Sequence, residues 1–206
     1  MSAELRRRFD EKMRAREEAL PAARQAIRSS ANAIRAIHRG DSDEARRLME
    51  EARAALDAGE TAVRDHPDVR HAGFLHDGQK EYAEARLTEA VVSGTDLPGP
   101  DELRVTVPAY LNGMAEAIGE ARRAVLDRLR AGEVSRAEEL LQAMDDLFDL
   151  LVTIDYPDAI TGHLRRSTDV ARSIIEKTRG DLSVSIVQKD LRDALERHAA
   201  EFRDRP

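Results

Sequence analysis

The chain of 206 residues is 41% hydrophobic, 35% charged and 3% aromatic, has no cysteine or tryptophan, and carries a formal net charge of −7. Its size fits one domain over 1–206, and many charges beside few aromatics favour amphipathic helices over sheets. Absent cysteines exclude disulfides, thiolate metal sites and cysteine nucleophiles, and an intracellular, cytoplasmic protein is expected.

No apolar run approaches the roughly 18 residues that a membrane span needs, and Met1–Arg8 is charged with no apolar stretch after it, so no secretory leader is expected. The negative net charge argues against a protein that simply coats nucleic acid. The distribution is uneven, however. Residues 1–40 hold nine Arg and one Lys against five acids, a local +5 that leaves −12 for the rest. Residues 132–160 hold eight acids and one Arg. One end of the chain can still meet a polyanion. Only four residues are lysine, at 12, 80, 177 and 189, so arginine supplies nearly all the positive charge.

The first forty residues read as one long helix, with Leu5, Phe9, Met13, Leu20, Ala23, Ile27, Ile34 and Ile37 recurring at helical spacing. Pro21 should kink it or break it near Leu20. Gly40 fits the left-handed position after a helix, and Ser42 should cap the next one. A second helix runs from about Asp43 to Asp65, stopped by His66-Pro67. A third covers roughly Val69 to Val92. The stretch 93–100, with two prolines and two glycines, is the clear loop, and Leu103 to Val107 reads as loop or a brief extended piece.

A fourth helix runs from Pro108, suited to a first turn, to Arg130, with Leu111, Met114, Ile118, Val125 and Leu129 as its apolar stripe. After Ala131-Gly132 a fifth carries Leu140, Leu141, Met144, Leu147 and Leu151. Tyr156-Pro157 opens a sixth through Leu164, Val170 and Ile175, which Gly180-Asp181 should end. A last helix is expected from about Ser183 to Phe202. Seven helices with short links, no repeat and no composition shift describe an all-α bundle. Helices this long imply an elongated monomer with apolar surface for partner subunits.

Little supports nucleophilic catalysis: no Gly-x-Ser-x-Gly, no phosphate-binding glycine loop and no dinucleotide fingerprint occur. The histidines at 38, 66, 71, 76, 163 and 198 lack metal-ligand spacing and read as surface or capping residues. Carboxylates are more suggestive. Glu81 and Glu84 sit three apart on the third helix, Glu116 and Glu120 four apart on the fourth. If the two helices pack antiparallel, four carboxylates can converge into a hard-oxygen site for Mg²⁺ or Mn²⁺. Spacing alone favours a solvated face, because Glu116 and Glu120 lie roughly opposite the stripe of Leu111, Ile118 and Leu129.

These residues resemble the translin family, which includes translin and its partner Trax. Gly78-Gln79-Lys80-Glu81-Tyr82-Ala83-Glu84-Ala85 is similar to the Leu-Gln-Glu-Tyr-x-Glu-Ala stretch of the Trax branch. Val107 to Glu120, with Tyr110-Leu111-Asn112-Gly113, resembles the family's Asp-Tyr-Leu-x-Gly-Val-x-Asp-Leu-x-Gly-Glu helix. Tyr156 to Ser183, with Leu164-Arg165-Arg166 and Glu176-Lys177-Thr178-Arg179-Gly180-Asp181-Leu182, is close to a later translin helix and the turn after it, and Ala36 to Gly40 matches the end of the first helix. The likeness spans most of the chain.

It implies a seven-helix fold, closed octameric homo-oligomers that bind single-stranded RNA or DNA, and, for the Trax branch, Mg²⁺-dependent cleavage of single-stranded RNA. Glu81, Glu84 and Glu120 match the acids of that branch. Glu116 stands where the branch has Asp, which keeps the charge and moves the carboxylate by one methylene. Translin itself lacks this acidic set. Arg6, Arg7, Arg8, Lys12, Arg14, Arg165 and Arg166 are the candidates for tracking a phosphate backbone. The alternatives are a translin-like oligomer that binds without cutting, and a helical scaffold with no nucleic-acid chemistry.

Overall fold

Among the residues described by the computed structural model, 1–203, the chain is helix joined by short links, with no strand. In order these are α1 (Ser2–Arg39), α2 (Ser42–Ala62), α3 (Pro67–Arg70), α4 (Phe74–Ser93), α5 (Pro100–Leu103), α6 (Val107–Arg130), α7 (Val134–Val152), α8 (Asp158–Thr161) and α9 (Leu164–Arg203). The all-α expectation holds; of the expected domain over 1–206, residues 204–206 lie outside the described residues. Three of the helices, α3, α5 and α8, are single turns of four residues, so six carry the architecture. No helix among the described residues is long and apolar enough to cross a membrane.

The central pair is α4 and α6. Helix α1 lies against α2 and α4, while α7 and α9 cover α6 from the other side and touch each other. Small residues let α1 approach closely: Ala15, Ala19, Ala23, Ala26 and Ala33 are all buried along it. Larger side chains fill the centre, with Leu56, Leu87, Met114, Ile118, Leu140 and Met144 fully buried, each worth about 1.5–3 kcal/mol of apolar burial.

The helix limits show which local signals win. Pro21 does not break α1, which continues through it. The proline is exposed and Ala19 and Ala23 are buried on either side, so water can reach the carbonyl left without a donor while packing holds both halves in line. Gly40 takes the left-handed position at φ 75°. The cap of α2 is Asp41, whose Oδ1 accepts from the Glu44 amide at 3.2 Å, and Ser42 is the first helical residue. The expected third helix is divided: α3 is one turn, and Gly73 at φ 98° leads into α4.

The expected sixth and seventh helices are one. Helix α9 runs from Leu164 to Arg203 without a stop at Gly180-Asp181. The physical reason is Arg122 of α6, which donates to Thr178 Oγ1 at 2.9 Å and to Asp181 Oδ2 at 2.7 Å, clamping the helix on both sides of the glycine. Leu182 is buried just beyond. A Cβ at Gly180 would meet nothing within 4 Å. Gly180→Ala is therefore expected to stabilise the protein by about 0.5–1 kcal/mol through helix propensity alone, read as a higher urea midpoint; a loss of stability would refute open space at this position.

Candidate functional site

The site is built on the contact between α4 and α6, and Gly113 makes that contact possible. A Cβ there would lie 2.7 Å from the Lys80 carbonyl oxygen, 2.9 Å from the Ala83 Cβ and 2.9 Å from the Glu84 amide nitrogen. The two backbones touch at this point. Glu81 and Glu84 leave α4 beside the contact, and Glu116 leaves α6 one turn beyond Gly113, on the same side. One carboxylate oxygen from each of Glu81, Glu84 and Glu116 lies within 4.8 Å of the others.

This face of α6 is the one that helical spacing marks as solvated. It is instead the face on which α4 packs, because the chain leaves a glycine there in place of a bulky residue. Glu84 is buried at 8% exposure, and its carboxylate accepts no hydrogen bond and forms no ion pair among the described residues. Burial first, then the charges of Glu116, Glu81 and Glu120, push its pKa up to about 8. Burial likewise raises Glu81, with Lys80 opposing the shift and Glu116 adding to it. Three converging hard oxygen donors, one buried without a cation of its own, fit a small divalent ion such as Mg²⁺ or Mn²⁺.

Lys80 is the nearest cation. Its ammonium donates to both Glu116 oxygens at 2.6 and 2.7 Å and lies 3.4 Å from Glu81 Oε1. Burial pulls the Lys80 pKa down, but the bond and charge of Glu116, together with Glu81, more than offset this and leave it raised.

Glu120 stands one turn along α6 but outside the group of three. Its Oε2 is 2.6 Å from Nε2 of His38, whose side chain is only 3% exposed at the end of α1. That hydrogen bond outweighs burial and holds the Glu120 carboxyl below its ordinary range. The reading of all six histidines as surface or capping residues is thus corrected for His38. Its signal in the sequence was position: it ends the apolar run of α1, where the helix turns back toward the bundle.

The opposite wall comes from α9. A cleft of about 360 Å³ is lined by Glu84, Ala115 and Glu116 on one side and by Arg166, Ser167, Val170 and Ile174 on the other. Asn112, which spacing did not single out, fixes this wall. Its Nδ2 donates to the carbonyls of Pro108 and Thr161, each at 2.9 Å, and its Oδ1 accepts from Ser167 Oγ at 2.9 Å. This buried amide ties α6 to α8 and to the first turn of α9. The Arg166 guanidinium is exposed and forms no hydrogen bond or ion pair among the described residues.

The remaining candidate cations lie elsewhere. Arg165 faces a separate cleft that also contains Asp155, Asp158 and Asp169. Arg6, Arg7, Arg8, Lys12 and Arg14 sit near the start of α1, whereas His38 meets Glu120 near its end. At 1.5 Å per residue they are separated from that contact by about 36–48 Å along the helix. Arg7 pairs with Glu4 and Glu11, Arg8 with Glu4, and Lys12 with Asp68. Arg14 donates from Nε to the Asp10 carbonyl at 3.3 Å. Of the two tyrosines near the site, Tyr82 is buried on the α2 side with Arg53 stacked 5.6 Å from its ring centre, and Tyr110 is buried as well.

No family model matches the chain. The uncharacterized protein MJ0175 of Methanocaldococcus jannaschii is 32% identical over 184 residues, covering 88% of this chain and 81% of the relative. Among solved structures, AfC3PO in its duplex RNA complex superposes with a TM-score of 0.84 at 34% identity, covering 90% of this chain and 96% of that one. AfC3PO alone gives 0.80 at 33% identity over 90% and 97%. Apo-NeC3PO gives 0.80 at 21% identity over 89% and 96%, a likeness of fold.

Proposed function

The chain belongs to the translin family, and from that premise we propose that it is an RNA-binding endoribonuclease dependent on Mg²⁺ or Mn²⁺. The observation that carries this reading is the convergence of Glu81, Glu84 and Glu116 within 4.8 Å, two of them, Glu84 and Glu116, lining a cleft whose far wall offers Arg166, unpaired among the described residues. A divalent ion bound there supplies a Lewis acid that activates water and offsets charge developing on a phosphate. Glu81, Glu84 and Glu116 would hold it. Glu120, kept ionised by His38, adds negative charge one turn away. Arg166 meets a phosphate oxygen across the cleft, an electrostatic contact that carries no sequence preference.

The substrate we propose is single-stranded RNA, although the similar AfC3PO forms a complex with duplex RNA, so both forms belong in the test. DNA binding without cleavage is a further expectation. We also place the protein in the cytoplasm as a homo-oligomer, an octamer. Subunit contacts have apolar surface available: Leu5, Phe9 and Met13 on α1, and Val184, Val187 and Leu191 on α9, are all more than half exposed.

A second reading, an oligomer that binds RNA without cutting it, draws on Lys80. A carboxylate cluster already partly neutralised by the Lys80 ammonium on Glu116 and Glu81 has less need of a metal. Labelled single-stranded and duplex RNA, incubated with Mg²⁺, Mn²⁺ or EDTA, separate the readings. Cleavage with either metal and none with EDTA is the expected result, and Glu81→Gln with Glu116→Gln should lower the rate at least about 100-fold. Retention of RNA without any cleavage by the folded protein would favour the second reading. Cleavage that survives the double substitution would move the active site elsewhere.

A further inference from the structure

The lysine at position 80 is conspicuous in this chain, which has four lysines against twenty-nine arginines. Ion pairs on its surface are made almost wholly with arginine. At the one place among the described residues where three carboxylates converge, the chain uses lysine. The two side chains bind carboxylates differently. An arginine guanidinium holds one bidentately through a planar fork, whereas an ammonium is a compact point charge on a flexible stem that leaves more readily.

The geometry shows how this ammonium is placed. It bridges both oxygens of Glu116 and reaches Glu81, in contact with two of the three side chains that converge. An ion gathering one oxygen from each of Glu81, Glu84 and Glu116 meets Lys80 on whichever Glu116 oxygen it takes. The side chain of Lys80 is about one-fifth exposed, at 22%, so a route to solvent exists for an ammonium that lets go.

We propose that Lys80 is a tethered competitor for the divalent ion: its ammonium occupies Glu116 and Glu81 until the ion displaces it, so the site loads by exchange. The inference rests on the metal reading given above. It makes Lys80 a residue whose removal strengthens the metal site, whereas removal of any of the carboxylates weakens it. The substitutions therefore have opposite signs.

The test is Mn²⁺ binding to the whole protein, followed by the electron paramagnetic resonance signal of free Mn²⁺ and by calorimetry, with no RNA present. Lys80→Gln removes the competing charge and is expected to tighten Mn²⁺ binding at least about tenfold, as removal of a cation a few ångströms from a divalent ion should. Lys80→Arg keeps the charge in a form harder to displace and should bind Mn²⁺ several-fold more weakly than the parent. Thermal unfolding supplies a measure independent of the binding fit. Lys80→Gln should melt lower than the parent in EDTA and gain more from saturating Mn²⁺. Unchanged or weaker Mn²⁺ binding by Lys80→Gln would overturn the inference while leaving the metal site in place. Absence of Mn²⁺ binding by parent and both variants would overturn the metal reading itself, and this inference with it.

Discussion

Gly113→Ala will destabilise the protein by about 2–3 kcal/mol, although alanine is the better helix former. The added Cβ would meet the Lys80 carbonyl and the Glu84 amide, backbone atoms that cannot rotate aside. Helices α4 and α6 must then separate. Glu81 and Glu84 come from one helix of that contact and Glu116 from the other, so a shift of about 1 Å moves Glu116 away from Glu81 and Glu84 by an amount that matters to catalysis. Mn²⁺ affinity and cleavage should fall further than the stability loss alone accounts for, measured under conditions where the variant is still folded. The same substitution at Gly180 raises stability, and the contrast makes a paired urea titration informative. Equal effects at the two sites would show that α4 and α6 do not touch at Gly113.

The second large effect is pH-dependent. Glu84 titrates at about 8 in the folded chain, against 4.5 when unperturbed. Between those values the unfolded chain releases a proton that the folded chain retains. Stability from this group is complete below about pH 4.5 and is lost as pH rises through about 8. Glu84→Gln removes that dependence. In EDTA it is expected to stabilise the protein by about 1–3 kcal/mol at pH 8 and to change it little at pH 5. For a chain of this size that is a rise in melting temperature of about 2–4 °C per kcal/mol. The same variant should lose Mn²⁺ binding and at least about 100-fold in cleavage rate. A stabilised but inactive protein is the signature of a carboxylate held for function at the expense of the fold. If Glu84→Gln shifts stability equally at pH 5 and pH 8, the carboxyl is not the strained group described here.

How far the sequence exposes this arrangement depends on the residue. Helix α7 is legible because Leu140, Leu141, Met144, Leu147 and Leu151 repeat at helical spacing and are all buried. Spacing fails on α6, which α4, α7 and α9 cover along its length and α8 touches as well. The stripe of Leu111 and Ile118 marks one buried face, but the face against α4 is built on Gly113, which has no side chain to signal burial. Glu116 and Glu120 fall on that face, so periodicity assigns them to solvent while the family resemblance assigns them a role. Gly180 misleads in the opposite direction: a local stop signal is overridden by Arg122, fifty-six and fifty-nine positions away from its two partners. The His38–Glu120 pair spans eighty-two positions. Contacts at such separations belong to the packing of the bundle, and local spacing does not name the partner.

Helix α9 begins as part of the core, with Leu164, Ala171, Ile175 and Leu182 buried, and ends without it. From Val187 to Ala200 every side chain is exposed except the half-buried Asp193. An isolated helix of that length lies close to its own helix–coil balance in water, so the single chain has a cooperative body and a non-cooperative arm. Heat or denaturant reaches the arm first, and helicity is lost there as a gradual slope before the body melts in one step. A neighbouring subunit lying along Val187, Leu191 and Leu195 would draw the arm into the same cooperative unit, so that the sharpness of melting would report on association.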